Sequence, residues 1–175
     1  ISSQNGEGIK NGLSCVMMFA GLSENPKEIG FCESNYWIFN DKDMNAVFYE
    51  KGALVSGIPN HCWLSFPSLK NPHAKTHTAI LVSFIDENHF TQWKDKPWKN
   101  RGEDYLKLKK KIGESLIFFV NNRFAGFKKI VISYELSTPL TLNHFLNKNH
   151  GAMYGIPAEL NRFSPLRHGP KSEIK

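Results

Sequence analysis

Absent from this chain is any G-x-G-x-x-G run behind a β-branched strand, the arrangement that seats a pyrophosphate on a helix N-terminus. Gly6-Glu-Gly8 is followed by Ile9-Lys-Asn-Gly12, which breaks the spacing, so no Rossmann dinucleotide-binding unit is predicted. No stretch of 18 apolar residues occurs, which excludes a membrane-spanning helix, and no cleavable signal peptide is visible. Cysteine is scarce: Cys15, Cys32 and Cys62 form neither a CxxC pair nor an even disulfide set. A reduced setting, cytoplasmic or peripherally membrane-associated, is expected. Metal-ligand patterns are missing too. His73 and His77 have the spacing of two ligands on one helical face, but Pro72 precedes them and neither has a neighbouring glutamate. No metal is expected.

What is present belongs to a folded domain of ordinary size. Hydrophobic residues at 41% and charged residues at 22% are the proportions of a core-forming chain rather than a disordered one. A chain of this length buries roughly 70% of its unfolded surface. Thirteen phenylalanines and four tryptophans are many for 175 residues. They predict a large aromatic core, with some left over to line a pocket for a long apolar molecule. Net charge is +6, and eight basic side chains fall between Lys94 and Lys111. Such a cluster attracts phosphates of lipid or nucleic acid. On a helix, though, Lys107, Lys110 and Lys111 lie away from the apolar stripe, so a solvated face is the expectation, and no nucleic-acid reading motif is recognisable.

The pattern predicts an α+β domain: a mixed or antiparallel sheet with helices packed on it. Residues 1–12, hydrophilic and glycine-bearing, are expected to be a flexible segment or an artificial junction. From Leu13 to Phe19 both alternating sets are largely apolar, which predicts a strand buried on both faces. Further strands are predicted over Tyr36–Phe39, Cys62–Phe66 (ended by Pro67), Thr76–Ile85 and Ile130–Leu136. Within Thr76–Ile85, the residues Thr78, Ile80, Val82 and Phe84 share a face. Asp41 or Asp43 could cap a short helix through Tyr49, and Asp86 or Glu87 a helical turn holding Phe90 and Trp93. The longest helix is near 103–121, with Tyr105, Leu108, Ile112, Leu116 and Phe119 in one stripe and Glu103 and Asp104 favouring its positive end. Pro139 suits the first turn of a helix from Leu140 to Leu146, capped by Ser137 or Thr138.

Four segments recur together in one order: Phe66-Pro-Ser-Leu-Lys-Asn-Pro72; Trp98-Lys-Asn-Arg-Gly-Glu-Asp-Tyr105, continuing to Ile112; Ser137-Thr-Pro-Leu-Thr141 with Asn143-His-Phe145; and Gly151-Ala-Met-Tyr-Gly155. In this the chain, from about Leu13 to its last residue, resembles the flavin-dependent phytoene desaturase, carotenoid isomerase and retinol saturase (all-trans-retinol 13,14-reductase-like) oxidoreductases. The resemblance implies that residues 13–175 form the substrate- and flavin-covering domain of a larger FAD-dependent enzyme. That enzyme would act on a carbon–carbon double bond of a conjugated isoprenoid. The FAD-binding domain would belong to the same polypeptide, outside this stretch. This piece alone is then expected to be inactive and to bind no FAD. Its partners would be an apolar small molecule and a peripheral membrane surface, and not nucleic acid. The alternative is a non-catalytic module that binds an apolar ligand or a lipid surface.

The family places Gly151, Tyr154 and Gly155 near the flavin ring, and two glycines four apart also let backbone approach another surface closely. Met17, Phe19, Trp37, Phe66, Met153 and Tyr154 are of a type to line an apolar tunnel. No catalytic side chain is assigned, because in such chemistry the cofactor carries the reaction and the protein supplies orientation and a dry cavity. His144 could serve as a general acid or simply sit at the surface, and Arg162 and Arg167 could reach an anionic part of the cofactor or face solvent. His61 and Cys62, adjacent on a strand, point to opposite faces, so Cys62 is read as a small core residue rather than an activated thiol.

Overall fold

The computed structural model describes residues 12–40, 42–45, 47, 52–147 and 151–154. Five strands form one sheet: β1 (Ser14–Leu22), β2 (Tyr36–Phe39), β3 (His61–Ser65), β4 (His77–Ile85) and β5 (Val131–Ser137), in the order β2-β3-β4-β1-β5. Every pairing is antiparallel, so of the two sheet types expected the antiparallel one is found. Among the described residues two helices of eight residues or more accompany it, α1 (Glu103–Arg123) and α2 (Pro139–Leu146), and shorter helical turns occur in the connections.

Alternation along the strands divides the sheet into two faces. One, carrying Val16, Met18, Ala20, Leu64, Leu81, Ile85 and Leu136, is fully buried. Onto it packs α1, whose stripe of Tyr105, Ile112, Leu116 and Phe119 is buried as predicted. Gly113 lets the helix approach β5: a Cβ there would come within 2.5 Å of the Tyr134 ring. Glu103 and Asp104 occupy the first turn after Gly102, whose φ of +91° a side chain would strain.

The caps follow the sequence. Asp86 accepts from the Asn88 N–H at 2.9 Å and starts the 3-10 turn Glu87–Trp93, which buries Phe90 and Trp93. Thr138 caps α2, and its N–H donates to Thr141 Oγ1 at 3.2 Å. The helix expected through Tyr49 lies partly outside the described residues, as do residues 1–11.

Two expectations need correction. β1 is apolar on both faces, but only one is shut off by helices; on the other, Phe19 remains 47% exposed. Second, the strand predicted over Ile130–Leu136 is not regular. Gly21 pairs with Ser133 but Leu22 with Val131, a bulge that pushes Ile132 out to solvent.

Candidate functional site

The second face of the sheet carries the site. Register lines its residues up in rungs. One runs Trp37–Trp63–Val82–Met17–Ser137 across all five strands. The next runs Ser65–Ile80–Phe19–Glu135. On the other side Phe39 pairs with His61, and Phe84 with Cys15. Trp37 and Met17 are three strand spacings apart, so the apolar part of this face is about 14 Å wide. Its rings touch. Trp37 stacks on Phe39, with centroids 6.1 Å apart and planes within 8°, and Phe84 lies 6.4 Å from Trp37 and 5.0 Å from His61.

Phe19 is 47% and Trp37 56% exposed, while Met17, Phe39, Trp63, Ile80 and Phe84 are half-buried. Polar residues border the patch along β5, where Ser133, Glu135 and Ser137 follow in turn. Glu135 is itself tied to Lys109 Nζ at 2.5 Å.

Apart from Glu135 at its border, the titratable groups that the described strands place on this face are buried and neutral. His61 is 2% exposed; its Nε2 accepts the Phe84 N–H at 2.7 Å, and its Nδ1 faces Asn60 Oδ1 at 2.7 Å. The proton therefore sits on Nδ1, and burial lowers the imidazole pKa to about 4. Cys15 is fully buried, and desolvation pushes its thiol up to about 12. Cys62, on the helix-covered face, is likewise pushed up to about 12 by burial. Neither thiol is a nucleophile at neutral pH. Among the described residues the face offers shape and rings, with its histidine and cysteine held neutral by burial.

Met17, Phe19 and Trp37, singled out from sequence, thus meet on one surface. Phe66 does not. It lies one residue beyond β3, fully buried on the helix side, 4.5 Å from Phe31 and 6.5 Å from Phe127. Strand parity sends Ser65 to the open face and Phe66 to the core. Trp63, Ile80, Val82, Phe84 and Phe39 are the surface residues that composition did not single out. Their signal was the parity of each strand, which identifies a face only once strands are paired.

Gly151 to Tyr154 continue the sheet beyond the end of β5. Ala152 bridges Ser14, and the Met153 N–H donates to Leu13 O at 2.9 Å. Gly151 is buried with φ +61°, and a Cβ there would stand 2.5 Å from Pro139 O. Its glycine requirement is therefore met by packing on α2. Met153 is half-buried and Tyr154 exposed. Gly155, Arg162 and Arg167 lie outside the described residues.

Three of the four recurring segments converge beside this bridge. Tyr105 Oη and Thr138 Oγ1 share a hydrogen bond of 2.7 Å. Arg101, 8% exposed, donates from Nη2 to Leu140 O at 3.4 Å and lies 5.3 Å over the Tyr105 ring. Trp98 stacks on His144 with centroids 5.1 Å apart. His144 is thus an exposed stacking partner of Trp98 and Phe145. The Phe66–Pro72 segment stands apart, with Ser68 accepting the Thr78 N–H at 3.0 Å.

No family model matches the chain. Curated relatives do. The chain is 26% identical over 165 residues to an all-trans-retinol 13,14-reductase of Danio rerio, covering 89% of this chain and 27% of that protein. It is 27% identical over 168 residues to the Rattus norvegicus protein of the same name, covering 90% and 27%. An inactive all-trans-retinol 13,14-reductase of Danio rerio is 24% identical over 168 residues, with the same coverage. The chain spans about a quarter of the length of the relatives it matches. Along nine-tenths of its own length, then, this chain is retinol saturase-like, homologous to one stretch of the all-trans-retinol 13,14-reductases.

Proposed function

We propose that the aromatic sheet face is the substrate-facing wall of an FAD-dependent oxidoreductase that acts on a carbon–carbon double bond of a conjugated isoprenoid, retinoid- or carotenoid-like. On this reading residues 13–175 are the substrate domain and the flavin is held by other parts of the same polypeptide. The observation that carries the reading is the rung Trp37–Trp63–Val82–Met17, apolar across four strands in a chain similar to retinol reductases. A polyene has almost no polar handle. Its binding comes from buried area, at about 25 cal/mol per Å², and from ring contacts of the kind Trp37, Phe19 and Phe84 present.

The described residues fit this covering role and do not fit the holding of a nucleotide. Among them no glycine-rich turn opens a helix beneath a strand; the buried guanidinium of Arg101 donates from Nη2 to Leu140 O and lies over the Tyr105 ring, while its Nε has no partner among the described residues. A bound flavin would supply hydride or electron transfer. The wall would contribute orientation and exclusion of water.

The complete gene product, purified, should be yellow with flavin and consume a retinoid. Phe19→Lys and Trp37→Glu should each cut kcat/KM by tenfold or more while the flavin stays bound. A colourless full-length protein, or unchanged turnover in both variants, refutes the proposal.

One observation favours a second reading. A relative named inactive matches as much of the chain as those named reductases, so similarity here does not separate catalysis from binding. A non-catalytic apolar-ligand module predicts that the 175-residue chain binds retinoid as tightly as the full-length protein does. The flavoenzyme reading predicts much weaker binding, because half the cavity wall is then missing.

A further inference from the structure

Lys70 ties the recurring segment Phe66–Pro72 to the open sheet face. The helical turn Pro67–Lys70 follows β3, and Ser68 fastens it to β4 at Thr78. From the last position of that turn Lys70 bends back. Its Nζ donates to Ser65 Oγ at 2.8 Å and to Asn35 Oδ1. Ser65 belongs to the rung Ser65–Ile80–Phe19–Glu135. Asn35 stands one position before Tyr36, which pairs with Leu64, so the same register continued by one step sets it beside Ser65. The ammonium group therefore closes this rung on the side of β2 and β3, about 7 Å along the strands from Trp37 and Trp63.

An ammonium has three N–H groups to donate. Two of those on Lys70 go to neutral oxygens. Among the described residues no carboxylate pairs with it, whereas Lys27, Lys107, Lys109 and Lys110 each meet a glutamate. A cation fixed by two side chains, with no acid beside it, is set to receive an oxygen from a ligand. The other end of the rung is acidic. Glu135 lies three strand spacings from Ser65, about 14 Å, and is already held by Lys109. Between the two ends lie only Ile80 and Phe19.

We infer that Lys70, positioned by Ser65 and Asn35, anchors the oxygen-bearing end of the ligand on this wall and holds a carboxylate there more tightly than a hydroxyl. Lys70 thereby adds a specificity-determining contact to the substrate wall proposed above, on which its role depends. Rings and aliphatic carbons supply affinity without direction, because a polyene meets them equally well either way round. A charge-assisted hydrogen bond at one margin breaks that symmetry, and it strengthens once the ligand shields the ammonium from water. The chain then runs over Ile80 and Phe19, with its apolar end toward Glu135, where an anion would meet a like charge.

The test titrates the complete gene product with all-trans-retinoic acid, all-trans-retinol and the retinoid hydrocarbon that ends in a methyl group, followed by quenching of tryptophan fluorescence. Wild type should bind the acid tightest and the hydrocarbon weakest. K70M should weaken the acid by roughly tenfold and the alcohol by about threefold, and leave the hydrocarbon within about twofold. K70E should reject the acid further and still bind the hydrocarbon. Added salt should weaken the acid in wild type and have little effect in K70M. Equal affinity for the three ligands in wild type, or equal losses for all three in K70M, overturns the anchor and leaves Lys70 a staple between β2 and β3. W37E separates this from the wall itself, since it should weaken all three ligands alike. If W37E leaves all three bound, or wild type binds none, the wall is refuted and the anchor with it.

Discussion

Acidification should loosen this domain through one residue, His61. The imidazole lies between β3 and β4, 2% exposed, and takes the place of a backbone acceptor for the Phe84 N–H. Protonating Nε2 would break that bond and put a charge where burial disfavours it, which is why its pKa falls from 6.5 to about 4. The sign follows directly. In the unfolded chain the group takes up a proton below its ordinary value, whereas in the fold it resists until far lower. Its contribution is therefore full above pH 6.5 and is lost as pH falls toward 4. Integrated from pH 7.5 to pH 5, the difference in proton uptake removes about 2 kcal/mol, a sizeable part of the 5–15 kcal/mol that holds a typical domain. Urea unfolding at the two pH values measures it, with His61→Gln as reference. Gln cannot titrate, so the variant, whatever its absolute stability, should lose about 2 kcal/mol less than wild type over that interval. Equal losses in the two proteins would refute both the burial and the neutral tautomer assigned to His61.

The two aromatic surfaces make opposite predictions. Phe66→Ala should cost about 3–5 kcal/mol in urea unfolding because it hollows the core, whereas Trp37→Ala should cost under about 1 kcal/mol; similar costs would mean the face assignment is wrong. Gly151→Val should destabilise by at least about 2 kcal/mol, since φ +61° and the 2.5 Å approach to Pro139 O both exclude a side chain, and wild-type thermal unfolding would count against that packing. A maleimide at neutral pH should label Cys32 in the native protein. That thiol is exposed and its pKa is lowered, first by a hydrogen bond from Ser34 and then by the Tyr36 hydroxyl. Cys15 and Cys62 should react only after unfolding, and rapid native labelling of either, detected by peptide mapping, would contradict their burial.

Local chemistry was legible without coordinates wherever one residue type has one use. Thr138 before Pro139 marked the start of α2, Asp86 the 3-10 turn, and the spacing of Tyr105, Ile112 and Leu116 the buried stripe of α1. Parity within β4 grouped Ile80, Val82 and Phe84 correctly. Misplaced were the residues whose location depends on pairing. Phe66 is of a type to line the ligand surface, yet one step of alternation beyond Ser65 carries it into the core. Ile132 falls inside the predicted strand Ile130–Leu136, and the bulge at Gly21/Leu22 turns it outward. Trp63 went unnoticed because nothing near it in sequence hints that it faces Trp37 across the strands.

The amino-acid sequence by itself determined the α+β class, the strand and helix positions, the apolar character of both faces of β1, and the kinship with retinol reductases. Tertiary structure alone decided which of those two faces α1 covers. The reason is that alternation divides a strand into two sides without ranking them. When both are apolar, the choice falls to the helix stripe that packs there, and the rings left on the other side become the site.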